Sequence, residues 1–226
     1  MIRLHIIAEG QTEETFVNNI LCEHLGSFNI STDVRCVETG RRQNKIYRGG
    51  LLDYEKAKKD LELWLKHDQK TDARFTTMFD LYALPDNFPK FEEAKKNRDP
   101  YQRIKELESA FKEEIADSRF IPYIQLHEFE ALIFSDPSKI SIEFIEEEYQ
   151  KPIDKLIDLS NSVDSPELIN DGEETAPSKR IIQLIPAYEG AKVSAAYNIV
   201  KEIGLPVIRD KCPHFNEWLT TLENLS

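Results

Sequence analysis

Apolar runs alternate with amphipathic stretches along the first 126 residues. Residues 2–8 read as a buried strand, and 12–25 follow as a helix with Phe16, Val17, Ile20 and Leu21 at helical spacing. Residues 33–38 make a second strand. A helix over about 53–67 puts Tyr54, Ala57, Leu61, Trp64 and Leu65 on one face. Residues 74–79 form a third strand ending at Asp80, a charged helix covers roughly 100–117, and 119–126 form a fourth strand ending in His127. Strands that alternate with helices predict an α/β fold with a mainly parallel central sheet flanked by helices on both faces. Beyond residue 134 the pattern turns helical, with a loop from Ser160 to Pro177, a helix opening at Pro177, and two helices separated at Gly204-Leu205-Pro206. The expected organisation is an α/β core over 1–135 and a helical C-terminal extension over 136–226, packed on it as one structural unit.

The chain has 226 residues, 40% of them hydrophobic, enough for a core of ordinary size. Its mean hydropathy of -0.49 and the lack of any run near the ~18 apolar residues of a membrane span predict a soluble, cytoplasmic protein with no membrane partner. Cys22, Cys36 and Cys212 are widely spaced and odd in number, which argues for buried or idle thiols over a disulfide framework or a cysteine zinc site. A net charge of -12 disfavours nucleic acid if spread evenly. It is uneven: between Gly40 and Gly50, Arg41, Arg42, Lys45 and Arg48 occur with no acidic residue, and Tyr47 is available to stack on a base. That segment is the candidate phosphate contact, with an ordered, ligand-free hairpin tip as the alternative.

Carboxylates stand at three strand ends: Glu9 with Glu13, Asp80 with Asp86, and Glu128 with Glu130. Parallel neighbours bring such ends to one edge of the sheet, where converging acids repel one another unless a cation lies between them. An oxygen-only donor set favours Mg²⁺ or Mn²⁺ over zinc, and such an ion suits phosphoryl chemistry. The plainer alternative is that each acid is a solvated turn or an N-terminal helix residue favoured by the macrodipole. Glu14 is assigned to that alternative. His127 is either a general acid or base or a polar residue that only ends a strand. His5 reads as a packed core histidine and His214 as a structural hydrogen-bonding residue. Lys179, Arg180 and Lys192 are weaker phosphate candidates, helped by a helix N-terminus near Ser178 that would aim its amides at the same anion.

The start Ala8-Glu9-Gly10-Gln11-Thr12-Glu13, with a distant hydrophobic strand ending in Asp80, resembles the Toprim domain of topoisomerases, primases and OLD-type nucleases. Residues 76–89, 122–137 and 212–219 resemble the signatures of an uncharacterised prokaryotic Toprim-like family, whose members are often encoded beside an AAA-type ATPase and are linked with phage defence. The resemblance implies a Toprim-like fold and a Mg²⁺-dependent nuclease acting on DNA or RNA. Glu9 takes the place of the Toprim glutamate, Glu13 that of a second OLD-type glutamate, and Asp80 that of the first aspartate of Asp-x-Asp. The second aspartate is replaced, since the chain reads Asp80-Leu81-Tyr82. Either Asp86, Glu128 or Glu130 substitutes for it or the metal site is reduced. On this reading Glu9, Asp80, Asp86, Glu128 and Glu130 are metal candidates, while Glu9, Glu13, Asp80, His127 and Glu128 are catalytic candidates. The competing expectation is a non-catalytic interaction module of an ATPase-containing complex, and a third is primase-like nucleotidyl transfer.

Overall fold

The structure, a computed structural model, describes residues 1–42, 45–48, 53–169 and 175–225, and for 38–42 and 45–48 it describes the main chain alone. Two units make up the chain: Met1–Gln125 with Thr221–Ser226, and Leu126–Thr220.

In the first unit, strand β1 (Ile2–Ala8) lies between β2 (Ile30–Cys36) and β5 (Ala73–Asp80), parallel to both. β5 pairs on its other side with β6 (Phe120–Ile121) and, further along, with β7 (Ile124–Gln125), again in parallel. The expected mainly parallel sheet is therefore present. A separate antiparallel hairpin of β3 (Glu38–Arg42) and β4 (Lys45–Arg48) occupies the basic segment that the sequence left as a loop or a hairpin tip. The first helix runs as α1 (Gln11–Phe16), a π-helical turn (Val17–Leu21) and α2 (Cys22–Gly26).

Helix α3 (Tyr54–His67) starts at Asp53, whose side chain accepts the N–H of Glu55, and it buries the expected Tyr54, Ala57, Leu61, Trp64 and Leu65. After the short α4 (Phe91–Ala94), α5 (Pro100–Ile115) begins at Asp99, which accepts from Tyr101 and Gln102, with Pro100 in the first helical position. Phe111 of α5 packs against the rings of Tyr54, Phe79, Phe88 and Phe120. The aromatic cluster ties two helices to the sheet.

The fourth strand departs from expectation. It is two short strands broken at Pro122 and Tyr123, although the register is the same on both sides of the break. Proline holds φ near the polyproline value and diverts the chain from the extended path. The Thr77 hydroxyl fills the gap, accepting the N–H of Tyr123 and donating to its carbonyl, each at 3.0 Å. Both residues are buried.

At the amino ends of the strands, Arg3 hydrogen-bonds Asp68 and Asp72 with its guanidinium. His5, buried as expected, contacts Asp68 through Nε2 at 2.9 Å and packs against the rings of Trp64 and Phe75. Arg119 donates to the carbonyls of Leu65 and Asp68. Together they fasten the end of α3 to β1 and to the approach to β6. The Arg3 guanidinium holds the Asp68 carboxyl well below the usual carboxylate range, with His5 adding to the effect.

The second unit opens with buried 3₁₀ turns, Phe129–Ser135, and continues through Pro137–Ile142 to α6 (Gln150–Asn161). It ends in α7 (Pro177–Leu184), α8 (Tyr188–Ile203), α9 (Leu205–Lys211) and α10 (Pro213–Glu223). The terminal region thus holds three helices where the sequence suggested two. The break at Gly204 is as expected, at φ 81, and a further break falls at Cys212 before Pro213. Fully buried Glu167 caps α10, accepting from His214 N at 3.0 Å and Phe215 N at 2.9 Å. Residues 170–174 of the expected loop lie outside the described residues. All three cysteines are free thiols. Among the described residues no helix is long and apolar enough to cross a membrane.

Thr77→Val keeps the side-chain volume but leaves the buried N–H and C=O of Tyr123 without the hydroxyl. Unfolding in urea should show a loss of about 2–4 kcal/mol; a loss below ~0.5 kcal/mol would mean that the hydroxyl does not replace the ladder. A carboxyl with a depressed pKa stabilises the fold above its unfolded pKa and loses that contribution as pH falls toward its folded pKa. Asp68→Asn should therefore lower the melting temperature at pH 7, with the gap to wild type closing as pH falls below the ordinary aspartate range near ~4. Thermal melts across that range check it, and a gap independent of pH would refute the assignment.

Candidate functional site

Glu9 stands one residue beyond β1. Its N–H donates to Met78 O at 3.0 Å, extending the β1–β5 ladder by one bond, and its Oε2 accepts the N–H of Asp80 at 3.0 Å. The pairing that builds the sheet therefore also sets the two acids side by side, both half-buried. The chain leaves β1 toward β2 on one side and leaves β5 toward β6 on the other. Connections diverge at β1/β5, and the crevice outside the carboxyl ends of diverging strands is where open α/β sheets place ligands.

Glu13 is buried in the first turn of α1, and its Oε2 accepts the N–H of Gly10 at 2.9 Å. A Cβ on residue 10 would stand 3.3 Å from that oxygen, so the close approach suits glycine. One Glu13 oxygen is thus engaged in holding the β1–α1 turn, while the helix N-terminus favours its charge. Tyr82 lies in a 3₁₀ turn, Leu81–Ala83, and Asp86 is exposed just beyond it.

His127, Glu128, Glu130 and Lys192 belong to the second unit. Glu128 accepts the N–H of Ser178 through Oε2 at 2.8 Å, so the helix N-terminus expected to meet a phosphate already meets a carboxylate. Glu130 is fully buried. Its Oε1 accepts from the Tyr188 hydroxyl at 3.2 Å and lies 3.2 Å from Lys192 Nζ, while Oε2 has no hydrogen-bond partner among the described residues. Tyr188 and Lys192 are one helical turn apart on α8 and so reach the same carboxylate. Burial pushes the Glu130 carboxyl up, Lys192 draws it back, and Glu128 adds to the rise. Burial also raises the Tyr188 hydroxyl, helped by Glu130. The sequence reading missed Tyr188, though its spacing of four from Lys192 was the available signal.

Of the other basic candidates, Lys179 is exposed, and Arg180 donates to Thr175 O at 2.7 Å. The side chains of Arg41, Arg42, Lys45 and Arg48 lie outside the described residues.

The donors at the β1/β5 edge fit a hard divalent cation. Among the described residues no three His, Cys, Asp or Glu side chains are grouped to hold a metal ion. Two carboxylates nevertheless suffice for Mg²⁺, which keeps several waters and takes one or two carboxylates together with substrate phosphate.

A solved structure, the C-terminal region of the OLD protein of Xanthomonas campestris pv. campestris, is similar to this chain at 14% identity, with a TM-score of 0.42 and coverage of 98% of this chain and 97% of that one. No curated protein matches. The family model for a domain of unknown function, DUF4276, matches residues 8–223, and the chain belongs to that family.

Proposed function

We propose that the chain is a divalent-metal-dependent phosphodiesterase of Toprim-like design that hydrolyses nucleic acid, with Glu9 and Asp80 holding one Mg²⁺ or Mn²⁺. The observation that carries this reading is the bond from Asp80 N–H to the Glu9 carboxylate at the point where the strand connections diverge. When bound, the ion would activate water and neutralise charge developing on the phosphodiester. Glu9 is anchored at the strand end through Oε2, which accepts the main-chain N–H of residue 80. Asp80 contributes its carboxylate from the neighbouring strand end. Glu13 keeps the turn below Glu9 in place through Gly10 and acts as a positioning residue. The β3–β4 hairpin, with Arg41, Arg42, Lys45 and Arg48, supplies the phosphate-binding charge that the acidic chain otherwise lacks. An AAA-type ATPase partner and a role in phage defence follow from the motif resemblance alone.

Tyr82 in place of an aspartate favours a second reading, a non-catalytic interaction module that keeps the fold and part of the ligand set. The two readings separate by experiment. Glu9→Gln and Asp80→Asn should each lower Mn²⁺-dependent cleavage of DNA or RNA by about 100-fold or more while melting close to wild type. If wild type cleaves neither single- nor double-stranded substrate with Mg²⁺ or Mn²⁺, alone or with its ATPase partner, the module reading stands and the nuclease reading falls. Charge reversal at Arg41 and Arg42 should weaken nucleic-acid binding and reduce the slope of log affinity against log salt by about 0.7–0.9 for each phosphate that is no longer neutralised. An unchanged slope in titrations at several salt concentrations would remove the hairpin from the interface.

A further inference from the structure

Four non-glycine residues among those described have positive φ: Asn29, Lys90, Ala116 and His127. The first three are exposed, in the turn before β2 and at helix ends, where a left-handed residue is an ordinary way to reverse or stop the chain. His127 is different. It is 3% exposed, with φ 65, between buried Leu126 and half-buried Glu128. Glu128 returns at once to the extended region, at φ -147 and ψ 161, and its carbonyl accepts the N–H of Ala131 at 2.9 Å to start the 3₁₀ segment. A single left-handed residue thus turns the chain into the segment that carries both Glu128 and Glu130. The turned main chain brings the Glu128 carboxylate to Ser178 N, and Glu130 follows into its buried place beside Tyr188 and Lys192. Left-handed residues in buried surroundings persist only where the neighbouring structure holds them, and they gather at functional sites.

We propose that His127 is a positioning residue whose contribution is its left-handed main chain, which sets Glu128 against the Ser178 amide and leads Glu130 into the cluster with Tyr188 and Lys192. Residue 127 must be one that tolerates positive φ: glycine does so freely, asparagine and histidine better than most, and β-branched residues hardly at all. The geometric inference is independent of the nuclease reading, and only its consequence for cleavage rests on it.

The test is amide hydrogen exchange at Ser178, which reports the bond to Glu128 without metal or nucleic acid. His127→Gly and His127→Asn both remove the imidazole yet allow positive φ, and they should keep Ser178 protection within about threefold of wild type. His127→Val should lower it by about tenfold or more. If the valine variant does not fold, His127→Ala replaces it, and protection in alanine should fall below that in glycine. Glycine and asparagine variants that lose as much protection as valine overturn the proposal, as does a valine or alanine variant protected as well as glycine. Cleavage is read in parallel. Activity kept in His127→Asn and lost in His127→Val matches the proposal, whereas activity lost in His127→Asn while Ser178 stays protected returns the role to the imidazole. Absence of cleavage in wild type bears on the nuclease reading and leaves the exchange result to decide this one.

Discussion

The parallel pairing of β1 with β5 is the constraint on which the first unit depends. Its register sets Ala8 opposite Met78, and one further ladder bond from Glu9 N–H to Met78 O carries the pairing past the end of β1. From there the Glu9 carboxylate needs only to reach the N–H of Asp80. A slip of one residue would exchange the two buried faces of β1, setting Leu4 and Ile6 against packing made for His5 and Ile7, and would move Glu9 away from Asp80. The core and the candidate site are consequently specified by the same hydrogen bonds.

Much of this was legible in the chain. Period and turn signals located β1, β5, α3 and α5 closely, because each is long and has one clearly apolar face or run. The caps at Asp53 and Asp99 come from the structure, where each side chain accepts main-chain N–H groups of the first helical turn. The breaks were harder to read. Pro122 inside an apolar run is a local signal, but the side-chain bridge from Thr77 comes from 46 residues away and has no local signature. Glu167 sits in a stretch so polar that it reads as loop, yet its carboxylate is fully buried because two amides of α10 satisfy it. Of the site, Glu9 and Asp80 were visible as acids at strand ends. The Glu13–Gly10 bond and the left-handed turn at His127 depend on main-chain geometry that residue types alone do not convey.

The two groups of carboxylates occupy contrasting environments. Glu9 and Asp80 are half-buried, with the former anchored by a main-chain amide. Glu130 is wholly buried and leans on a lysine and a phenol, while Glu128 is satisfied by a helix N-terminus. Burial without full hydrogen bonding is costly for a carboxylate, which is why Lys192 and Tyr188 belong to the description of Glu130 as much as the acid itself.

The interruption at Pro122 bears on association as well as on folding. β6 and β7 are short strands at the end of the sheet order, and a long unbroken strand in that place is a template for another chain to pair with. Residue 122 has no N–H to offer an incoming strand, and the N–H of Ile124 is taken by the Glu108 carboxylate at 2.9 Å. The kink that divides the expected fourth strand thereby makes this border of the sheet a poor template for intermolecular β-pairing, through one ring and one carboxylate.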